Sequence, residues 1–312
     1  MTSRVPALLI HGGAGADPAF RHEELRAGIR DAVAAGWDVL DAGGGAVAAV
    51  EAAVCVLEDN PRFNAGRGSA LTTDGTVEMD ASMMEGDGLT NGAVACVTAI
   101  RHPVTLARLI LEEGRHSFFV GEGAMARARA LGVPLCDPEE LVTDFQRTQL
   151  ESVIGNTGGN TGGNTEGNTG GNTRGNTGGG TVGAVALDRR GLIAAATSTG
   201  GMAGKPPGRV GDSPLIGCGT YAESTAGGVS CTGNGEAAIR VVLARRTIEI
   251  LKAAGDPMHA CQIALDVLAE EGRDSGGLIC IDWRGRLGWA HSTPLMPVGF
   301  MAPGRDAPGL NF

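Results

Sequence analysis

The chain has 312 residues, 42% hydrophobic and 19% charged, a composition that supports a sizeable buried core. Its formal net charge of −10, with no run of Lys or Arg, excludes the basic face that nucleic acid or an anionic membrane requires. Aromatics make up only 4% while glycines number 52, so much of the backbone can turn tightly or lie close against a ligand.

The N-terminal apolar stretch is too short for a signal-peptide core and is closed off by His11-Gly12-Gly13. Nothing elsewhere reaches the roughly 18 continuous apolar residues of a membrane helix. The seven cysteines (55, 96, 136, 218, 231, 261 and 280) are scattered and never in C-x-x-C spacing. Most lie in apolar surroundings, which reads as buried free thiols and a cytoplasmic enzyme.

In chain order, 7–10 reads as a buried strand ending in the glycine turn 11–15. Helices are expected over 23–36 and 45–58, then strands over 76–84 and 92–100 around Gly86-Asp87-Gly88. Helical patterns follow at 104–114, 121–131 and 138–150. From Gly155 the tetrad Gly-Asn-Thr-x repeats six times and ends in Gly179-Gly180. Such a tract has almost no apolar surface to offset its ordering entropy, and a four-residue repeat without a hydrophobe gives a solenoid no core. It reads as a disordered linker over 155–180, between an N-terminal segment 1–154 and a C-terminal segment 181–312. At Thr181 the character changes: 181–187 and 192–198 read as a hairpin, 226–231 as a strand, 235–254 and 257–271 as helices, and 277–282 with 286–291 as a closing hairpin. Strands and helices in both halves, with antiparallel hairpins, imply an α+β arrangement of sheets covered by helices.

Several chemistries lack a signal. Gly200-Gly201-Met202-Ala203-Gly204-Lys205 approaches a phosphate loop, but Pro206 stands where Ser or Thr is needed. No H-E-x-x-H or G-x-S-x-G is present, and the six histidines are dispersed. What remains is Thr181, at the head of a strand behind a glycine tract. A hydroxyl is a weak nucleophile without a base beside it, and a free N-terminal threonine carries that base as its own α-amine, of pKa about 8. Exposing that amine requires cleavage of the Gly180–Thr181 bond, and Gly180, lacking Cβ, leaves the preceding carbonyl within reach. The alternative is a β-branched residue that merely opens a strand.

Five segments bear on that choice: His11-Gly12-Gly13-Ala14-Gly15, Asn60-Pro61-Arg62-Phe63-Asn64-Ala65-Gly66, Thr197-Ser198-Thr199-Gly200-Gly201-Met202, Gly208-Arg209-Val210-Gly211-Asp212-Ser213-Pro214, and Ser230-Cys231-Thr232-Gly233-Asn234-Gly235-Glu236. Together with Thr181-Val182-Gly183 they resemble the plant-type asparaginase/isoaspartyl aminopeptidase family of Ntn-hydrolases, over essentially the whole chain outside the repeat. The resemblance implies a four-layer αββα sandwich and a self-processing amidohydrolase acting on L-asparagine or β-aspartyl dipeptides. It implies Thr181 as nucleophile and base, Thr199 and Asn64 as residues that position it, and Thr232 with Gly233 as oxyanion hole. It further implies Arg209 on the substrate α-carboxylate, where a planar bidentate donor suits the geometry. Asp212 and the Gly235 carbonyl would meet the α-ammonium.

No cofactor is required on this reading. A sodium ion held by backbone carbonyls of Leu57, Glu58, Asn60, Phe63, Ala65 and Arg67 would be structural, and the assembly would be a homodimer of processed units. His11, Asp80 and His291 read as structural. The repeat has no counterpart in the family pattern, and Asn234 in Thr-Gly-Asn-Gly also resembles the glycosylasparaginases. A glycosylasparaginase-like activity and a non-enzymatic binding protein on the same fold are the competing readings.

Overall fold

Strand β1 (Ala7–His11) is buried at every position and lies at the centre of an eight-stranded sheet, between β5 (Val182–Leu187) and β11 (Val298–Met301). The structure, a computed structural model, describes residues 4–15, 22–157, 180–302 and 304–312. The remaining strands of this sheet are β6 (Ile193–Thr199), β2 (Met79–Glu85), β3 (Asn91–Val97), β4 (Phe118–Val120) and β12 (Gly309–Asn311), in the order β12-β11-β1-β5-β6-β2-β3-β4. A second sheet of four strands orders β10 (Leu287–His291), β9 (Gly276–Asp282), β8 (Gly227–Gly233) and β7 (Thr220–Glu223). Pairing is antiparallel throughout, save for the parallel β3–β4 edge.

Each central strand is apolar on both faces because each face is covered. One face of the large sheet packs Ile10, Val182, Ala184 and Ala196 against α1 (His22–Asp41) and α2 (Ala46–Asp59). Its other face sets Leu9, Val185, Ile193 and Ala195 against Ile279 and Ile281 of the small sheet. The small sheet is covered on its outer side by α6 (Gly235–Val241), α7 (Leu243–Ala254) and α8 (Pro257–Val267). α3 (Pro103–Glu113) and α4 (Gly121–Ala130) close the β2–β3 end of the large sheet. The layers therefore run helix, sheet, sheet, helix, the four-layer αββα sandwich that the resemblance implies. Among the described residues, no helix is long and apolar enough to cross a membrane.

Two expected helices are broken, each for a local reason. The pattern over 138–150 divides into a 3-10 turn, Pro138–Leu141, and α5 (Asp144–Thr157). Asp137 caps the turn, and the Leu141 carbonyl accepts the Gly68 amide at 3.0 Å instead of continuing a helix. The pattern over 235–254 breaks at Val242, whose φ of 52° starts a new helix. The first amides of α7, Ala244 and Arg245, then bond the Cys218 and Gly217 carbonyls at 3.1 and 2.8 Å, partners that one continuous helix would not offer. α5 runs to Thr157, into the first repeat; residues 158–179, most of the expected linker, lie outside the described residues.

Candidate active site

Strand register brings the candidate residues together. Val182 pairs with Ser198 and Gly183 with Thr197, so Thr181, one residue before β5, stands across from Thr199 at the end of β6. The Thr181 hydroxyl donates to Thr199 Oγ1 at 3.1 Å, and Ser213 Oγ lies 3.4 Å away. Thr199 Oγ1 also accepts the Gly201 amide at 2.9 Å, which fixes its lone pairs and turns the chain out of β6. Asn64 holds that same turn from the other side. Its Nδ2 donates to the Gly201 carbonyl at 2.6 Å, its Oδ1 accepts the Ala70 amide at 2.7 Å, and its carbonyl accepts the Gly200 amide at 2.9 Å. Asn64 thus acts on the 199–201 turn and has no direct bond to Thr181 among those described.

Gly180 is buried in the same cavity, between the turn after β1 and the end of β8. A Cβ on Gly180 would sit 2.8 Å from the Ala14 carbonyl and 2.9 Å from Thr232 Oγ1. Across from it, Gly13 adopts φ +103° and its Cα faces the Gly180 backbone so closely that no side chain fits. The Thr232 hydroxyl accepts the Ala14 amide at 3.0 Å, which leaves its own proton free to donate elsewhere. Gly233, at φ +129°, is pressed against Gly276, another position that only glycine can fill. Asn234 then caps α6, accepting the Ala237 amide at 3.0 Å, and Gly235 opens that helix at the cavity wall.

The wall beside Gly235 carries charge: a Cβ there would sit 2.9 Å from Arg209 Nη2 and 3.1 Å from Asp212 Oδ1. Arg209 forms a bidentate pair with Glu236, at 2.9 Å from Nε and 2.7 Å from Nη2. Asp212 is buried, and its Oδ2 has no hydrogen-bond partner. Burial pushes its carboxyl up to about 6, against the opposing pull of its own amide and of Arg209. A buried carboxylate oxygen with no donor is expensive unless a cation or donor arrives. Asp80 and Lys205 lie behind Arg209, both buried, with Lys205 Nζ donating to the Glu78 carbonyl at 2.6 Å. Burial raises the Asp80 carboxyl and lowers the Lys205 amine.

Asn64, Gly180, Thr181, Thr199, Arg209, Asp212, Gly233 and Gly235 all line this one cavity, and Thr232 borders it through Gly180. A cleft elsewhere, lined by Lys252, Asp282 and Arg286, has its charges already paired: Arg286 with Asp282, and Lys252 with Glu223.

Two neighbours of Thr181 stand outside the expected catalytic set, Ser213 and His11. Ser213 is the last side chain of Gly-Asp-Ser, so its place beside Thr181 was legible in the motif. His11 is buried, with Nε2 2.8 Å from Ser230 Oγ. From there hydroxyls continue between the sheets through Thr197 (2.7 Å), Thr220 (2.5 Å) and Ser82 (2.8 Å). Burial lowers the His11 imidazole to about 3, so it is neutral and the chain is uncharged. Nothing in local sequence signals this network, because it joins residues from five separate strands.

The 57–67 segment closes the end of α2. The carbonyls of Leu57, Glu58 and Asn60 accept the amides of Asn60, Arg67 and Phe63 at 3.3, 2.7 and 3.1 Å, each keeping a second lone pair. These are hard neutral oxygens on a tight loop, a donor set that fits an alkali cation.

Comparison with known proteins gives a concordant result. Residues 4–306 match the family described as Asparaginase. The chain is 43% identical over 286 residues to an isoaspartyl peptidase/L-asparaginase of Danio rerio, covering 92% of this chain and 88% of that one. It is 41% identical over 308 residues to a plant-type L-asparaginase of Pyrococcus abyssi (97% and 98% of the two chains), and 42% over 284 residues to an isoaspartyl peptidase/L-asparaginase of Homo sapiens (89% and 88%). With the four-layer sandwich and a threonine at the head of β5, the match over nearly the whole length leaves one conclusion: the chain belongs to the asparaginase family of Ntn-hydrolases.

Proposed function

We propose that the chain cleaves its own Gly180–Thr181 bond and then hydrolyses the side-chain amide of L-asparagine and of β-aspartyl dipeptides. The observation that carries this reading is the meeting of Gly180–Thr181, Arg209 and the unpartnered Asp212 carboxylate in one cavity. In maturation, Thr181 Oγ attacks the Gly180 carbonyl carbon, the C–N bond breaks as the amine takes the hydroxyl proton, and water hydrolyses the resulting ester. The product is a free α-amine on the nucleophile itself. In turnover that amine accepts the Oγ proton, and Oγ adds to the substrate side-chain carbonyl. The Thr232 hydroxyl and the Gly233 amide donate to the oxyanion. The leaving ammonia or amino acid departs with the proton, and water releases aspartate from the acyl-enzyme.

Selectivity follows from charge. The substrate α-carboxylate displaces Glu236 from the Arg209 fork, and the α-ammonium donates to Asp212 Oδ2 and to the Gly235 carbonyl. Thr199 and Asn64 keep the nucleophile in register. The names of the relatives point to the same substrates. We further propose a sodium ion on the carbonyls of Leu57, Glu58, Asn60, Phe63, Ala65 and Arg67, a dimer of processed units, and a cytoplasmic setting. The last is supported by seven unpaired cysteines.

Blocked substrates test the pocket. N-acetylasparagine, which lacks the ammonium, and asparagine α-amide, which lacks the carboxylate, should each be turned over far more slowly than asparagine. Arg209→Lys should lose kcat/KM on the order of a hundredfold, since a point charge replaces a fork. Equal turnover of all three compounds, or an unimpaired Arg209→Lys enzyme, contradicts the assignment.

A further inference from the structure

Away from the cavity, Cys55, Glu58 and His102 meet where the end of α2 reaches the start of α3, with ligand atoms that all lie within 4.8 Å of one another. Glu58 is fully buried. Its Oε1 accepts the Ser198 hydroxyl at 2.6 Å and the Val104 amide at 3.1 Å. Its Oε2 is buried without a well-formed hydrogen bond, and its neighbour is His102 Nδ1 at 3.3 Å. Two ligands bound at about 2.0 Å to a tetrahedral ion stand about 3.3 Å apart, so this pair already has metal-ligand spacing.

The surrounding groups match what metal ligands use. His102 Nε2 faces Asp59 Oδ1 at 3.5 Å, a carboxylate that would fix the tautomer with Nδ1 unprotonated. Ser198 and Val104 occupy Oε1 and leave Oε2 for the ion. Cys55 Sγ is steadied by Thr105 Oγ1 at 3.5 Å. The His102 side chain is 30% exposed, which gives an ion a way in and leaves a coordination position facing water.

We propose that Cys55 Sγ, Glu58 Oε2 and His102 Nδ1 bind a divalent ion of the zinc class, with water as fourth ligand. Sulfur, nitrogen and a carboxylate oxygen select a borderline-soft ion, unlike the carbonyls proposed above for sodium. Burial and the Glu58 charge raise the Cys55 thiol, and the contact with Glu58 raises the His102 imidazole. Metal uptake forms three bonds from the chain, and any proton on Cys55 Sγ or His102 Nδ1 goes to solvent. The thiolate and Glu58 carboxylate then balance the ion's two charges. Because Ser198 precedes Thr199, the ion would tie α2, α3 and β6 together behind the catalytic strand.

The probe is Co2+, titrated into the processed, chelator-stripped enzyme at fixed sodium concentration. The expected result is one equivalent bound and a near-ultraviolet thiolate-to-cobalt band. Zn2+ should displace the cobalt and abolish the band. Cys55→Ser should lose the band, and His102→Asn should weaken binding on the order of a hundredfold, with asparagine turnover in stripped protein showing that both variants are folded. Asp59→Asn, at an exposed position, should weaken binding about tenfold and serves if either of the others misfolds. No band in the wild type, or the same band and affinity in all three variants, overturns the site.

Discussion

At the scale of single residues, the chemistry rests on groups whose ordinary properties are altered by what surrounds them. Asp212 is the clearest case. Burial raises its carboxyl to about 6, and it must be ionised to hold an α-ammonium. The Thr181 amine, of ordinary pKa about 8, must be neutral to accept the hydroxyl proton. Both conditions are lost as pH falls, so kcat/KM on asparagine should drop with unit slope below about 8 and with a slope near two below about 6. The free enzyme is what this profile reports, before substrate pulls the Asp212 value down. A single unit slope from pH 8 to 5 would remove Asp212 from the binding site.

At the scale of elements, the turn after β1 and the residue leading into β5 fit one another with no space to spare. Gly180→Ala would drive a Cβ to within 2.8 Å of the Ala14 carbonyl and 2.9 Å of Thr232 Oγ1. Self-cleavage should slow by at least about tenfold, a barrier increase of about 1.4 kcal/mol. Material that does mature should turn over normally, because residue 180 is then a free chain end no longer bonded to Thr181; equal cleavage rates by gel densitometry would contradict this packing. The same scale explains what the sequence disclosed. Strands β1, β5, β6 and β9 were legible because both faces are buried and the apolar runs are continuous. β4, β7, β11 and β12 were not, since three or four residues give no period to read. The breaks at 142 and 242 were hidden too. They depend on distant carbonyl and amide partners, Gly68 for the first and Gly217 with Cys218 for the second. Of the cavity, the motif residues could be named in advance, whereas the Arg209–Glu236 pairing and the His11 hydroxyl chain exist only in three dimensions.

For the whole molecule, the two halves of the chain form one sandwich: β1 from the first lies between β5 and β11 from the second. Cleavage before Thr181 therefore leaves the fragments locked in a common sheet and core. The repeats between Gly155 and Gly175 add no hydrophobe to that core, and loop-closure entropy changes by only about 0.6 kcal/mol per doubling of length. Deleting three tetrads should leave maturation and activity within about twofold of the parent, by intact mass and steady-state kinetics. The most direct test of the account is the new N-terminus itself. Purified protein, incubated without added protease, should yield a fragment whose Edman sequence begins Thr181-Val182-Gly183, with asparagine turnover rising in step. Thr181→Ser should do both more slowly, and Thr181→Ala should stay intact and inactive. A dominant N-terminus at any other residue, or a fully active Thr181→Ala protein, would contradict the mechanism.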